Sequence, residues 1–268
     1  MFIAEQLTAA YQTQFLAKRI IFSFIFVVVV LLLILELNSL QDILLVVFQI
    51  CISYLIFEIV SYILLSSRLC GRINPFRKAV LITGCDSGFG FSIAKRLNKA
   101  GFQVFAACLS PLQGGGKELN DLPNLHCLKM DVTELDDINL AYEFVLEHLD
   151  QNELWAVINN AGIGNASPIE IVTMSSIEEV VNVNLLGMIR VTKTFLPLLR
   201  KSNGRVINIA SIAGRLVMPG FVPYSVSKHA LIAFSDGLRL EVQKFGVSVV
   251  TIEPWAYRCF FIFLLYIF

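Results

Sequence analysis

The 268-residue chain carries 21 basic and 21 acidic side chains, so its formal net charge at neutral pH is zero. A balanced charge does not imply an acidic polymer as a partner, and we expect no nucleic acid among its partners. Hydrophobic residues make up 56% of the chain, which is high for a water-soluble protein and indicates a membrane-associated segment.

Two long apolar stretches lie in the N-terminal quarter. Residues 20–35 contain no charged side chain, and residues 43–67 contain only Glu58. Because a helix needs roughly 20 apolar residues to cross a bilayer, we predict a transmembrane helical hairpin over residues 20–67, with spans of about 20–37 and 43–66. The alternative is a single span, with the first stretch lying in the membrane interface.

Basic residues flank the predicted hairpin on both outer sides. Residues 1–19 end in Lys18 and Arg19, and a basic linker, residues 68–77, follows the second span. Basic flanks favour the cytoplasmic side of a membrane, so both ends and the domain that follows should face the cytoplasm. We expect the endoplasmic reticulum membrane, with the mitochondrial inner membrane as the alternative.

The rest of the chain alternates short apolar runs with amphipathic segments. The predicted strands are 78–82, 104–108, 126–130, 155–158, 206–209 and 247–252, and the predicted helices include 91–100, 135–149, 177–199 and 225–245. Near-continuous apolar strands that alternate with helices predict an α/β fold. We expect a doubly wound, Rossmann-type, mostly parallel sheet in a single domain over residues 78–254, with ligands outside the carboxyl ends of the strands.

A glycine-rich turn joins the first predicted strand of this domain to its first helix. It reads Thr-Gly-Cys-Asp-Ser-Gly-Phe-Gly over residues 83–90. Glycines let a pyrophosphate approach the backbone, and free N–H groups at a helix N-terminus attract its charge. The spacing differs from the Gly-x-Gly-x-x-Gly of other dinucleotide folds. The strand before it and the helix after it favour a dinucleotide site over a plain turn.

A serine, a tyrosine and a lysine stand near the C-terminal end of the domain. Ser211 follows the predicted strand 206–209, and Tyr224 and Lys228 are four residues apart. Residues four apart lie on one face of a helix, where an ammonium would lower the pKa of the phenol and make it a usable acid or base. Such a pair on its own is more often a surface contact, and the other motifs of the chain favour the catalytic interpretation.

Six motifs occur in a fixed order along residues 78–254. They are the glycine turn, Met-Asp-Val at 130–132, Asn-Asn-Ala-Gly at 159–162, Asn184, Ser211, and the pair Tyr224 and Lys228. This order resembles the short-chain dehydrogenase/reductase family, and within it the membrane-associated enzymes acting on retinol, steroids or 3-hydroxybutyrate. The resemblance implies hydride transfer between NAD(H) and a small lipophilic alcohol or carbonyl compound, and it is compatible with a homodimer.

The resemblance also implies a role for each motif residue. Tyr224 would be the general acid or base, Lys228 would lower its pKa and bind the nicotinamide ribose, and Ser211 would hold the substrate oxygen. Asn184 would support a water that links Lys228 to solvent. The residues implied to bind the cofactor, besides Tyr224 and Lys228, are Gly84, Ser87, Gly88, Phe89, Gly90, Asp131, Val132, Asn160, Ala161 and Gly162.

Three of these assignments have plainer alternatives. Asp131 could form an Asx turn or helix cap together with Thr133. Asn184 could bond the backbone of its own helix, and residues 159–160 could be a simple turn. The histidines show no ligand spacing, and we predict no metal site.

The residues near the expected ribose favour NAD over NADP. A 2′-phosphate calls for arginine or lysine in the glycine turn or just after the second strand. The turn holds Asp86 and Ser87, and the second strand is followed by Leu109-Ser110-Pro111, so neither place has a basic residue. The acidic residue that usually follows the second strand in NAD sites is also missing. The prediction therefore depends on the lack of a partner for a phosphate.

The C-terminal end departs from the family pattern. Pro254 is followed by an atypical apolar tail, residues 255–268, in place of the expected substrate-binding segment and seventh strand. The nine apolar residues at its end are too few to span a bilayer as a helix. We expect a membrane-anchored dehydrogenase or, as the alternative, a truncated and catalytically inactive form that retains nucleotide binding or dimerisation.

Overall fold

A computed structural model of the protein describes residues 40–69, 73–164 and 166–255. The chain divides into two compact units, Met1–Ile73 and Asn74–Phe268. In the first unit the structure describes a single long helix, and in the second an α/β domain. The apolar tail beyond residue 255 and the predicted first span, 20–37, lie outside the described residues.

Helix α1 (Leu40–Leu69) has 30 residues and contains the predicted second span. Its described side chains are mostly exposed, including Leu45 at 57%, Phe48 at 62% and Leu55 at 60%. In the described part of the chain, no helix combines the length and the hydropathy that a membrane span requires.

Six parallel strands form the centre of the second unit. They are β1 (Lys78–Thr83), β2 (Gln103–Cys108), β3 (Leu125–Lys129), β4 (Glu153–Asn159), β5 (Arg205–Ile209) and β6 (Ser248–Ile252). Their order in the sheet is β3-β2-β1-β4-β5-β6, and every neighbouring pair is parallel. The predicted doubly wound α/β fold is confirmed. The direction of winding reverses between β1 and β4, and ligands of such sheets bind at that point.

The strands are connected by helices of unequal length. They are α2 (Gly88–Lys99), α3 (Gly114–Asn120), α4 (Leu135–His148), α5 (Met174–Val181), α6 (Met188–Lys201) and α7 (Val222–Val242). A π-helical segment, Asn182–Gly187, joins α5 to α6, and short 3₁₀ turns occupy Ile212–Gly214 and Gln243–Phe245. The predicted helices 91–100, 135–149 and 225–245 are confirmed to within a few residues, whereas 177–199 is interrupted by the π-helical segment.

Both faces of the sheet are covered, which explains why its strands are almost continuously apolar. Along β1, Val80 and Ile82 pack into a cluster with α2, whereas Ala79 and Leu81 pack into the cluster on the opposite face. All four are at most 1% exposed. Burying a side chain of the size of Val, Leu or Ile stabilises a fold by about 1.5–3 kcal/mol, so this strand is a strong local determinant of the structure.

Helix α3 forms although its first residues have a low helix propensity. It begins with three glycines, and two of them lie where a side chain would not fit. A Cβ on Gly115 would collide with the carbonyl oxygen of Asp86, and one on Gly116 would lie 2.7 Å from Cα of Pro111. Close packing of this helix against the glycine turn at Gly115 and against Pro111 at Gly116 therefore requires glycine, although glycine is a poor helix former.

Candidate active site

The glycine turn after β1 is bonded to the segment that follows β4. The Asn160 side-chain amide donates to the carbonyl oxygens of Thr83 at 2.8 Å and Gly84 at 3.0 Å. The Thr83 hydroxyl accepts the backbone N–H groups of Asn160 and Ala161, both at 2.9 Å. These bonds fix two strand ends against each other at the point where the winding reverses. Asn160 therefore connects the ends of β1 and β4 by hydrogen bonds and is not part of an isolated turn.

Three glycines of the turn keep its backbone bare. Gly84 has a φ of +68°, and a Cβ there would lie 2.8 Å from Cα of Ala161. A Cβ on Gly90 would collide with the Gly84 carbonyl oxygen and would lie 2.6 Å from Nδ2 of Asn160. Gly88 has a φ of +61°, and its Cβ position has open space for 4 Å around it. The turn can thus be approached closely by a ligand from the side of Gly88.

The start of α2 fits an anionic group. Ser87 precedes the helix with an extended backbone and makes no capping bond with its side chain, and the first turn contains no acidic residue. Ser87, Gly88 and Phe89 are exposed. N–H groups at a helix N-terminus attract phosphate, so the residues present fit the pyrophosphate of a dinucleotide.

Asp131 and Val132 hold the end of β3 in place. The Asp131 carboxylate accepts the backbone N–H and the hydroxyl of Thr133, at 2.8 Å and 2.7 Å, which is the Asx turn considered as the alternative. The backbone N–H of Asp131 in turn donates to Asp137, and this bond lowers the pKa of the Asp137 carboxyl. Val132 is buried against Gly187, whose Cβ would lie 2.7 Å from its side chain. A role of Asp131 in binding the cofactor stays a prediction.

Asp86 makes a contact that sequence reasoning missed. Its two carboxylate oxygens accept consecutive backbone N–H groups after β2, from Leu109 at 3.0 Å and Ser110 at 2.9 Å. In the sequence, Asp86 stands out only as a non-basic residue of the turn. An acidic side chain in a glycine turn is the signal that could have found it.

Asn184 lies in the π-helical segment and is completely buried. Its side-chain oxygen accepts the backbone N–H of Ile163 at 2.8 Å, and its amide nitrogen donates to the Ile163 carbonyl at 2.8 Å and to the Ser227 hydroxyl at 3.1 Å. These partners lie in the loop after β4 and in α7, so the alternative of bonding to its own helix is wrong. π-helical turns often occur at functional sites, because they shift side chains out of the regular helical pattern.

Gly162 shows that Asn184 and Lys228 are neighbours. A Cβ on Gly162 would lie 3.3 Å from Oδ1 of Asn184 and 3.6 Å from Nζ of Lys228. The loop after β4, the π-helical segment and α7 therefore meet at one place, as the order of the motifs predicts.

Lys228 is a buried lysine at the end of β5. Its Nζ donates to the carbonyl oxygen of Ile209 at 2.9 Å and lies 5.6 Å from the centre of the Tyr224 ring. Tyr224 and Lys228 thus share a face of α7, as their spacing predicts. Burial disfavours the charged ammonium and lowers the pKa of Lys228 to about 8.

The pKa of Tyr224 moves in the opposite direction from the one expected. Burial raises the pKa of the phenol, and the hydroxyl of Ser211 opposes this shift. The predicted lowering by Lys228 is wrong for this structure, because burial of the phenol disfavours the phenolate and is the dominant influence on its pKa. Ser211 additionally accepts the backbone N–H of Ala213 at 3.1 Å, which caps the 3₁₀ turn.

The arrangement can exchange a proton with an oxygen atom. A half-buried phenol next to a hydroxyl and a buried amine is suited to general acid or base chemistry. A separate cavity of about 400 Å³ lies between β3 and α4, lined by residues such as Lys129, Leu140 and Phe144. It shares no residue with this site.

Comparison with curated proteins finds relatives that cover the same part of the chain. D-beta-hydroxybutyrate dehydrogenase, mitochondrial, of Mus musculus is 45% identical over 183 residues, which is 66% of this chain and 53% of the relative. Retinol dehydrogenase 16 of Rattus norvegicus is 45% identical over 184 residues, which is 68% of this chain and 57% of the relative. Estradiol 17-beta-dehydrogenase 2 of Mus musculus is 44% identical over 186 residues, or 68% and 49%. The chain matches about half the length of these relatives.

Solved structures of the same fold are also similar. A short-chain dehydrogenase from Streptomyces avermitilis superposes with a TM-score of 0.64 at 31% identity, over 69% of this chain and 68% of that chain. An NADPH-bound carbonyl reductase from chicken fatty liver superposes with a TM-score of 0.62 at 29% identity, over 66% of this chain and 78% of that chain. The short chain dehydrogenase family model matches residues 78–259. This match covers well over half of the sequence, and the chain belongs to the short-chain dehydrogenase family.

Proposed function

We propose that this protein is a dehydrogenase that transfers a hydride between NAD(H) and a lipophilic alcohol or carbonyl compound. The observation that carries the proposal is the meeting of Ser211, Tyr224 and the buried Lys228 at the end of β5. The nicotinamide cofactor would supply or accept the hydride. The protein would then have to orient the substrate oxygen and move one proton to or from it.

Tyr224 is the group proposed to move that proton. Ser211 would hydrogen-bond the substrate oxygen beside the phenol, and Lys228, whose amine lies beside the Tyr224 ring, would bind the nicotinamide ribose. Asn184 would keep Lys228 in place indirectly, since it bonds Ser227, the residue next to Lys228 in the chain. A proton transfer of this kind typically contributes 10²–10⁴-fold to a rate, roughly.

The glycine turn and the loop after β4 are proposed to hold the cofactor. Bare backbone at Gly84, Gly88 and Gly90 and the N–H groups that begin α2 suit a pyrophosphate. Gly162 would lie beside the nicotinamide ribose, because it adjoins Lys228. We propose NAD over NADP, which is supported by the lack of a basic residue at 109–111.

Two loops near the site carry exposed apolar side chains, which supports the proposal of a lipophilic substrate. The loop between Ser211 and Tyr224 and the loop after β4 are joined by a bond from the Ser167 N–H to the Gly220 carbonyl at 2.8 Å. Both expose large apolar side chains, namely Leu216, Val217 and Met218 in the first and Ile169 and Ile171 in the second, each 47–70% exposed. Apolar side chains next to a few polar groups are typical of ligand sites. Two of the relatives are named for retinol and estradiol, which are lipophilic alcohols.

Membrane attachment is also proposed, with the endoplasmic reticulum as the compartment and the α/β domain on the cytoplasmic side. The exposed apolar side chains of α1, such as Phe48 and Leu55, support an association with lipid, and lipid would be the source of a lipophilic substrate. Expression of a fluorescent fusion followed by carbonate extraction tests this part. Recovery of the protein in the soluble fraction would contradict it.

The activity is tested with the full chain purified in detergent. NADH formation is measured with a retinoid alcohol, a 17-hydroxysteroid and 3-hydroxybutyrate, and NAD binding is measured by calorimetry on the same sample. We expect NAD to bind and one of the lipophilic alcohols to be oxidised faster than 3-hydroxybutyrate. Binding without turnover on any alcohol would favour an inactive nucleotide-binding form, and turnover of 3-hydroxybutyrate alone would contradict the lipophilic substrate.

A further inference from the structure

Asp86 places a carboxylate at the end of β2, although it belongs to the turn after β1. Its oxygens are 3.0 Å and 2.9 Å from the backbone nitrogens of Leu109 and Ser110. The neighbouring N–H of Cys85 donates to the Ala107 carbonyl at 2.9 Å, so the turn and the end of β2 are joined at two successive residues. The position of this carboxylate is therefore fixed by the fold.

The end of β2 is where a doubly wound fold discriminates between the two nicotinamide dinucleotides. An acidic residue there bonds the free ribose 2′-hydroxyl of NAD, and a basic residue there accommodates the 2′-phosphate of NADP. This chain has Leu109-Ser110-Pro111 at that point and so lacks either residue in sequence. Asp86, 23 residues earlier, brings the missing negative charge to the same end of the strand.

The contact acts against a phosphate in two ways. Consecutive backbone N–H groups are good partners for an anion, and those of Leu109 and Ser110 are already occupied by Asp86. A 2′-phosphate placed there would also face a carboxylate, and the juxtaposition of like charges is costly in a binding site. A ribose hydroxyl has no charge to be repelled and can donate a hydrogen bond to the carboxylate.

Helix α3 limits the room for rearrangement around Asp86. A Cβ on Gly115 would collide with the Asp86 carbonyl oxygen and would lie 2.9 Å from the Phe91 ring. The backbone of Asp86 is thus packed closely against α3, and its side chain is bonded to the two residues that follow β2. A bulkier 2′ group cannot be admitted by a simple movement of the turn.

We propose that Asp86 makes the site select a dinucleotide with a free ribose 2′-hydroxyl over one with a 2′-phosphate. The inference deepens the proposed function and depends on the glycine turn binding a nicotinamide dinucleotide. It assigns the selectivity to a residue of the turn after β1, outside the loop after β2.

The test is equilibrium binding of NADH and NADPH to the purified full chain, measured by calorimetry without substrate. Variants Asp86→Asn and Asp86→Ser remove the charge and leave an oxygen that can accept one of the two N–H groups. Asp86→Glu keeps the charge. Asp121→Asn removes an exposed carboxylate at the end of α3 and serves as the control.

We expect the unaltered protein to prefer NADH, and Asp86→Asn and Asp86→Ser to narrow the affinity ratio by about tenfold or more. Asp86→Glu and Asp121→Asn should keep most of the preference. If the ratio of NADH to NADPH affinity is unchanged in both neutral variants, the inference is overturned and the proposed function stays intact. The same holds if Asp86→Glu narrows this ratio as much as the neutral variants do. Failure of the unaltered protein to bind either dinucleotide would instead overturn the proposed cofactor, and the inference with it.

Discussion

Nζ of Lys228 donates a hydrogen bond of 2.9 Å to the carbonyl oxygen of Ile209, so a lysine of α7 is held inside the domain at the end of β5. Only 3% of the residue is exposed. A buried ammonium is costly to maintain, and its burial makes stability depend on pH. The same placement puts the amine beside the Tyr224 ring, where the proposed reaction needs it.

Lys228→Met should therefore stabilise the domain at neutral pH. The pKa of Lys228 is about 8 in the folded protein and 10.5 ordinarily, so the unfolded chain binds the extra proton between these values. Below pH 8, folding therefore pays the full free-energy cost of burying the protonated lysine. This cost disappears as the pH rises toward 10.5. We expect a gain of about 1–3 kcal/mol in the free energy of unfolding at pH 7, measured by urea titration, that shrinks at pH 10.

A matched control separates burial from general charge effects. Lys193 is an exposed lysine of α6. Lys193→Met should change stability little and equally at both pH values. A gain for Lys228→Met that is the same at pH 7 and pH 10 would contradict the account.

Asn184→Ala should strongly destabilise the domain. It removes three hydrogen bonds that connect the π-helical segment to Ile163 and Ser227, and it leaves half-buried backbone groups of Ile163 without their partner. Losing such bonds costs about 2–4 kcal/mol in the free energy of unfolding. Asn182→Ala, in the same segment, removes one bond to Arg190 and should cost less than about 1 kcal/mol by the same measurement. Equal losses of stability in the two variants would contradict the claim that the hydrogen bonds of Asn184 hold this part of the domain together.

Gly90→Ala and Gly237→Ala should have opposite effects. A Cβ on Gly90 would collide with the Gly84 carbonyl and crowd Asn160, and we expect a loss of about 1–3 kcal/mol together with weaker dinucleotide binding. Gly237 is helical, and its Cβ would meet nothing within 4 Å. Alanine there should raise the free energy of unfolding by about 0.5–1 kcal/mol. Thermal denaturation with and without NAD measures both, and an unaffected Gly90→Ala would argue against the tight turn.

His126 should make the domain less stable in acid. Burial lowers its pKa, and the neighbouring His148, with ring centres 5.3 Å apart, adds to the shift. Because the folded pKa lies below the unfolded one, stability falls as the pH drops through the ordinary value of 6.5. His126→Gln should lose less stability than the unaltered protein between pH 8 and pH 5. The exposed His229, replaced by glutamine, is the control, and an identical pH dependence in all three proteins would refute the role of His126.

The strands and their order could be predicted because they depend on strong, local signals. Runs such as residues 78–82 are apolar on both faces, and parallel sheets buried on both sides require that. The glycine turn could likewise be recognised from the sequence, because a predicted strand precedes it and a predicted helix follows it. Ser211, Tyr224 and Lys228 could be placed together because the carboxyl ends of parallel strands share one edge.

Features that depend on tertiary packing could not be predicted. Helix α3 contradicts the propensity of its three glycines, since contacts of Gly115 with the glycine turn and of Gly116 with Pro111 decide its position. The contact of Asp86 with Leu109, which follows β2, spans 23 residues, and the sequence signals it only by an acidic residue in the glycine turn. The direction of the Tyr224 pKa depends on burial, which spacing along a helix does not reveal.

The central claim is that Tyr224 exchanges the proton with the substrate oxygen. It is tested most directly by comparing Tyr224→Phe with the unaltered protein in NADH formation from the alcohol that the substrate panel identifies, with NADH affinity measured in parallel. Tyr142→Phe is the matched control, because that tyrosine packs on Phe195 away from the site. We predict a fall of about 10²–10⁴-fold in turnover for Tyr224→Phe, with NADH affinity and the control nearly unchanged. Turnover of Tyr224→Phe equal to that of the unaltered protein would contradict the account.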